Sequence, residues 1–147
     1  MKKYIKLLRV KHYIKNFLVF LPLVFSGNFF NVHFLFITIL EFLSFSFVAS
    51  AVYIFNDIQD VDKDRKHPVK KNRPLASGEV SLKSAYLVFV IMLIASLSIQ
   101  VLLFKYFSFS LSTFIVTTLC LTIYLIINII YSKWAKHVPI FDITIYG

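Results

Sequence analysis

Acidic residues are scarce in this chain, seven in 147, and proline, glycine and cysteine are scarcer still at four, three and one. Each scarcity excludes something. The lone Cys120 lies inside an apolar run, so neither a disulfide framework nor a thiolate zinc site is available. No glycine-rich loop follows any strand-like run, which removes the phosphate-cradling motifs of soluble nucleotide enzymes. The first apolar run ends without a small-residue cleavage site, so the basic N-terminal region reads as a retained segment and not a signal peptide.

What is abundant points towards lipid. Hydrophobic residues make up 59% of the chain and aromatics 18%, outside the range of soluble domains. The expected fold class is an all-α integral membrane protein, a multi-pass helical bundle in one membrane domain over 1–147. The apolar runs predict about four complete spans, 13–30, 34–55, 85–104 and 107–131, and the start of a fifth over 138–147. The first run is short for a crossing. It borrows Tyr13 and Ile14, lets Lys11 and Lys15 snorkel, and is bent by Pro22.

A net charge of +9 invites a nucleic-acid partner, but the cations lie between the apolar runs, and none is expected. With alternating spans, six of the sixteen Lys/Arg precede the first, seven lie from Lys63 to Lys83 and two follow the fourth, all on one side. Only Lys105 falls opposite. The positive-inside rule then places the N-terminus and the loop 56–83 in the cytoplasm, in a cytoplasmic (inner) membrane. The first eight residues read as a basic amphipathic segment resting on anionic membrane lipids.

Four of the seven acids gather within nine positions, from Asn56 through Asp57, Asp60 and Asp62 to Asp64, where the second span ends. On a continuous helix Asp57, Asp60 and Asp64 fall within roughly 60° of one another, and Asn56 widens that arc to about 100°. Asp62 points the other way and is left out of the site. Tyr53, Ser50 and Ser46 continue the same face backwards as a small, polar stripe. Three carboxylates on one face repel each other unless a cation sits among them. Oxygen donors with no Cys or His alongside favour Mg²⁺, held together with substrate phosphates. The following Lys/Arg run, with Lys70, Lys71 and Arg73, would meet the remaining phosphate charge. Pro68, Pro74 and Gly78 break that run into an ordered loop or short helix over the site, and His67 shapes a turn before Pro68. Glu41 lies about 160° from the motif face and predicts an interhelical hydrogen bond. Gln100 and Asn128 read as polar packing groups.

Asn56-Asp57-x-x-Asp60-x-x-x-Asp64 resembles the first aspartate-rich motif of the UbiA prenyltransferase superfamily, and Arg73-Pro74-Leu75-Ala76-Ser77-Gly78 resembles the close of its basic loop. Arg9-x-Lys11-His12-x-Ile14-Lys15-Asn16, Asp64-Arg65-x-His67-Pro68-x-Lys70-Lys71 and Tyr131-Ser132-x-x-x-Lys136 are most similar to the polyprenyl-phosphate (decaprenyl-phosphate) phosphoribosyltransferase branch. Val10 and Tyr13 depart from that branch's pattern. The resemblance implies a Mg²⁺-dependent transferase that moves 5-phosphoribose from phosphoribosyl diphosphate to a polyprenyl phosphate for cell-envelope glycan precursors. It also implies that Asp57, Asp60 and Asp64 hold the metal and act in catalysis. Asn56, Tyr53, Lys11, Lys15, Lys70, Lys71 and Arg73 would bind substrate.

The family fold implied is a ring of nine helices with a second acidic motif, of which this sequence carries the N-terminal part; Asp142 alone does not replace that motif. The expectation is a fragment, inactive by itself: a truncated gene product, an incomplete reading frame, or one half of a split enzyme that a second chain or a homo-oligomer completes. Two alternatives stay open. One is transfer of a prenyl group from a prenyl diphosphate to an aromatic acceptor, as in quinone-type biosynthesis. The other is a non-catalytic membrane protein whose basic loops bind lipid or a partner.

Overall fold

The structure, a computed structural model, describes residues 1–134, and every regular element among them is helical. In chain order these are α1 (Lys2–Leu8), a 3₁₀ segment (Val10–Phe20), α2 (Leu21–Phe25), α3 (Val32–Gln59), α4 (Val61–Arg65), a 3₁₀ turn (Lys70–Asn72), α5 (Leu82–Tyr106) and α6 (Leu111–Lys133). Among the described residues three helices, α3, α5 and α6, are long and apolar enough to cross a membrane. They correspond to the expected spans 34–55, 85–104 and 107–131. The expected stretch 138–147 lies outside the described residues.

Each long helix starts where its sequence supplies an oxygen for the orphan N–H groups of the first turn. Asn31 Oδ1 accepts from the N–H of His33 at 3.0 Å and of Phe34 at 3.3 Å. Ser81 Oγ and Ser110 Oγ do the same for Ser84 and Thr113. Asn31→Ala is therefore expected to cost about 1 kcal/mol, and Asn31→Ser to recover most of it. Unfolding in mixed micelles titrated with SDS checks this, and an unchanged midpoint for Asn31→Ala would refute the cap.

The first expected span, 13–30, is not a transmembrane α-helix. It is the eleven-residue 3₁₀ segment followed by the five-residue α2, ended by a turn at Gly27, whose φ of +74° suits glycine. The physical reason is a match of rise. Tyr13 OH pairs with Ser50 Oγ at 2.6 Å, and Asn16 Nδ2 donates to Ser46 Oγ at 3.0 Å. Three residues of 3₁₀ helix rise about 6 Å, as do four residues of α-helix, so a three-residue repeat can run antiparallel along a four-residue one. Tyr13, Asn16 and Val19 are half-buried with an exposed pair between each and the next, a period of three that ends at Phe20, also half-buried. The polar stripe of α3 is thus covered by this segment.

Helix α3 is the centre, touched by α1, the 3₁₀ segment, α2, α5 and α6. Deep in the bundle, Gln100 Nε2 of α5 donates to Glu41 Oε2 at 2.8 Å and to Ser44 Oγ at 3.1 Å of α3, while Thr117 Oγ1 of α6 donates to Gln100 Oε1 at 2.8 Å. The expected interhelical bond of Glu41 is present, and Gln100 joins three helices. Asn128 bonds within its own helix, to the Tyr124 carbonyl. At the other end a small core of Leu7, Ile54, Ile58, Leu75, Val80 and Ala85 binds α1, the end of α3, the returning loop and the start of α5. That core is the platform for the acidic motif.

Candidate functional site

Helix α3 delivers Asp57 to the platform almost fully buried, at 2% exposure. The helix does not run straight through the motif. It stops at Gln59, bends at Asp60 (φ −100°, ψ 7°) and resumes as α4. The bonds Asp60 N–H to Asn56 O at 3.0 Å and Asp64 N–H to Asp60 O at 2.7 Å survive, so the chain is bent and not unravelled. Asp57, Asp60 and Asp64 therefore do not share the face of one continuous helix. The bend lets Val61 pack on the core and turns Asp64, also 2% exposed, back towards Asp57.

Arg73 closes that gap. Its Nη1 lies 3.3 Å from Asp57 Oδ1 and 3.0 Å from Asp64 Oδ2. The loop brings it there for local reasons. Arg73 precedes Pro74 and is extended (φ −63°, ψ 147°), and Leu75, Ala76 and Val80 anchor the chain in the core just beyond it. Arg65 Nε donates to the Ala76 carbonyl at 3.2 Å and ties α4 to the same loop. His67 Nδ1 accepts from the N–H of Val69 and Lys70, both at 3.1 Å, which is the turn expected before Pro68. The loop does lie over the motif.

A second guanidinium comes from the other end of the sequence. Arg9 Nη2 sits 2.7 Å from Asp57 Oδ1, and its guanidinium carbon lies 4.8 Å from the centre of the Tyr53 ring. Arg9 ends α1 in the left-handed region, at φ 52°, a conformation costing roughly 1–2 kcal/mol outside glycine. Leu7, fully buried, and Ser50 Oγ, which donates to the Leu8 carbonyl at 2.8 Å, fix the backbone just before it. Beside Arg9 opens a cavity of about 640 Å³, lined by Lys2, Lys6, Lys11, Arg9, Arg73 and Asp57 among others. His12 lines it too, and partial burial, then the Arg9 and Lys15 charges, push its imidazole below the ordinary value.

Of the residues expected at the site, the structure gathers Asp57, Asp64, Arg73, Tyr53 and Lys11. Asn56 precedes Asp57 on α3, its Oδ1 buried with no hydrogen-bond partner among the described residues. Asp60 occupies the bend, half-buried. Lys15, Lys70 and Lys71 are exposed and do not line the cavity. Asp62, left out of the site, is 91% exposed at its side chain and faces Arg65. Arg9 is the residue that reasoning from spacing missed: its partner lies 48 positions away, and only the similarity of the stretch around it marked that segment at all.

Among the described residues no three His, Cys, Asp or Glu side chains are grouped to share a metal ion. The arrangement nevertheless suits a cation, because a guanidinium nitrogen already stands between the Asp57 and Asp64 carboxylates. With carboxylate oxygens as the donors, and the chain neighbour Asn56 holding a buried oxygen that has no partner among the described residues, the residues fit a hard divalent ion once Arg73 gives way.

A family model described as the UbiA prenyltransferase family matches residues 17–147. An uncharacterised protein of Sinorhizobium fredii is 31% identical over 146 residues, 99% of this chain and 26% of that protein. A decaprenyl-phosphate phosphoribosyltransferase of Corynebacterium glutamicum is 32% identical over 143 residues, 96% of this chain and 41% of that enzyme. The enzyme of that name from Mycobacterium tuberculosis is 39% identical over 100 residues, 64% of this chain and 32% of its own length. The chain thus spans 26–41% of the length of these relatives. No solved structure matches it.

Proposed function

Since the chain belongs to the UbiA prenyltransferase family, we propose that it builds the diphosphate-handling side of a membrane-embedded transferase. The donor proposed is phosphoribosyl diphosphate and the acceptor a polyprenyl phosphate, with phosphoribose moved between them. The observation that carries this is the pair of buried aspartates bridged by Arg73, one of which, Asp57, is capped by Arg9 at the wall of a cavity rich in cations. A multiply charged anion escorted by a metal suits such a place. The similarity to decaprenyl-phosphate phosphoribosyltransferases supports the choice of donor and acceptor.

In this reading Asp57, Asp60 and Asp64 hold Mg²⁺, with Asn56 contributing its buried oxygen. The metal would supply charge neutralisation on the departing diphosphate. Arg73 and Lys11 face the phosphate oxygens from two sides of the cavity, and Tyr53 forms its wall. Lys15, Lys70 and Lys71, exposed, add positive charge that raises the local concentration of anions. The acceptor phosphate is already anionic, so positioning and charge stabilisation carry the rate and no general base is needed. The N-terminus and the loop 56–83 lie on the cytoplasmic side of the inner membrane, where Lys3 and Lys6 reach the Glu79 and Asn72 carbonyls. The proposal includes the rest of a helix ring, supplied by the same polypeptide, a second chain or another copy, without which the chain is inactive.

The test is transfer of label. Membranes carrying the chain with its helix ring complete are given phosphoribosyl diphosphate labelled in the ribose, decaprenyl phosphate and Mg²⁺, and the lipid extract is counted. Label in the lipid phase that vanishes for Asp64→Asn is the expected result. Label that stays in water, while a prenyl diphosphate alkylates an aromatic acid, would replace phosphoribosyl with prenyl transfer. Neither product would sink the enzyme reading.

A further inference from the structure

We infer that Arg9 is a phosphate-binding residue held in store on Asp57, and that it changes partner when a metal-bound diphosphate enters. The inference rests on the proposed reading of the site and adds to it a residue outside the acidic motif and outside the residues that the family model covers.

Charge balance is the first reason. Two guanidinium groups, Arg9 and Arg73, stand on two buried carboxylates, Asp57 and Asp64, at 2.7–3.3 Å. The cluster is neutral as it is. A divalent ion taken up by those carboxylates would leave both arginines facing added positive charge in a partly dry site, where such repulsion is strong. They must turn away, and a diphosphate is the anion that receives them. Metal and diphosphate should therefore enter together, and the bare metal should compete poorly with the resident arginines.

Local geometry is the second reason. Arg9 keeps a left-handed backbone at a position with a side chain, a strain that tends to be retained where it serves a site. Its guanidinium already borders the open cavity, so it can rotate from Asp57 into that space without disturbing the core. The backbone need not follow. It stays anchored by Leu7, by Ser50 bonded to the Leu8 carbonyl, and by Lys6 bonded to the Asn72 carbonyl. The flat ring of Tyr53 gives the guanidinium a surface to slide on.

The experiment measures two affinities on the purified protein with its helix ring complete, in lipid nanodiscs: Mn²⁺ alone, by its free-ion paramagnetic signal, and inorganic diphosphate in the presence of Mn²⁺, by calorimetry. Arg9→Gln should bind Mn²⁺ alone about three- to tenfold more tightly, because a competing cation is gone. The same variant should bind diphosphate about tenfold or more weakly, since a charge-assisted bond is lost. Arg9→Lys should fall between. Because losing Arg9 could unseat the N-terminal segment, Tyr13→Phe is the control: it removes the Ser50 contact alone and should leave both affinities near wild type. Opposite signs for the two ligands support the exchange. Weaker binding of both, an unchanged diphosphate affinity, or the same pattern in Tyr13→Phe would overturn it. A wild-type chain that binds no diphosphate would overturn the proposed function itself, whereas normal wild-type binding with an indifferent Arg9→Gln removes this inference alone.

Discussion

Asp57→Asn should reduce transfer by about 10²–10³ in kcat/KM or more, since a charge-bearing group preorganised for the diphosphate is lost. The same change should loosen the N-terminal segment. Asp57 Oδ1 is the shared acceptor of Arg9 at 2.7 Å and Arg73 at 3.3 Å. Asparagine keeps an oxygen there and drops the charge, leaving Asp64 to balance two guanidinium groups. Hydrogen bonds to charged partners contribute about 1.5–3 kcal/mol, and the arginine side chains, 21% and 29% exposed, can recover part of that from water. A loss of about 1–3 kcal/mol in stability follows. Tryptic cleavage after Lys6, Arg9 and Lys11 should speed up accordingly, while α5 and α6 stay protected. Asp62→Asn is the matched control, because Asp62 faces only Arg65 at 3.8 Å on the surface, and it should change neither readout. Full turnover per folded molecule in Asp57→Asn would remove the aspartate from the site, whatever the fate of the segment.

Most of the bundle was legible because its causes are local. Hydropathy marked α3, α5 and α6 to within a few residues, and the seclusion of Glu41 in an apolar span predicted a hydrogen bond across a helix interface, though not that Gln100 would make it. Asp57, Asp64 and Arg73 fall within seventeen positions, so chain connectivity alone brings them close. The failures have equally specific causes. A hydropathy window counts residues at one rise per residue, and it could not register that Tyr13 and Asn16, three apart, would meet Ser50 and Ser46, four apart. The helical wheel assumed a straight helix through Asp60, where the packing of Val61 and the bond from Arg65 to the Ala76 carbonyl impose a bend. Lys70 and Lys71 share with Arg73 the same basic run, yet only Arg73 is followed by the buried Pro74-Leu75-Ala76 that turns it inward. Arg9 was out of reach for another reason: cations are common in that segment, and nothing local singles out the one that crosses 48 positions to a buried acid.

Gln100→Leu should be the most destabilising change within the membrane, and it should leave the diphosphate site alone. Gln100 is 1% exposed and serves three helices at once. Leucine fills the space but removes three hydrogen bonds, each worth about 0.6 kcal/mol on average and up to ~1.7 kcal/mol between helices in lipid. The larger consequence is Glu41. Its Oε1 is already buried with no partner among the described residues, and Gln100 supplies the bond to Oε2. Stranding that carboxyl group among apolar side chains brings the expected total to about 2–4 kcal/mol. Glu41→Leu should cost less, because Gln100 Nε2 still reaches Ser44 Oγ at 3.1 Å. In the double variant nothing ionisable is stranded, so its loss should fall short of the sum of the two by about 1–2 kcal/mol. Unfolding midpoints of the four proteins in mixed micelles measure that coupling, and strict additivity would mean that Glu41 and Gln100 do not depend on each other. Glu41 stands sixteen residues, about 24 Å, along α3 from Asp57, so diphosphate affinity per folded molecule should be the same in all four. If it drops in Gln100→Leu at full folded fraction, the buried network is coupled to the acidic motif through α3, and the two ends of that helix cannot be treated as separate devices.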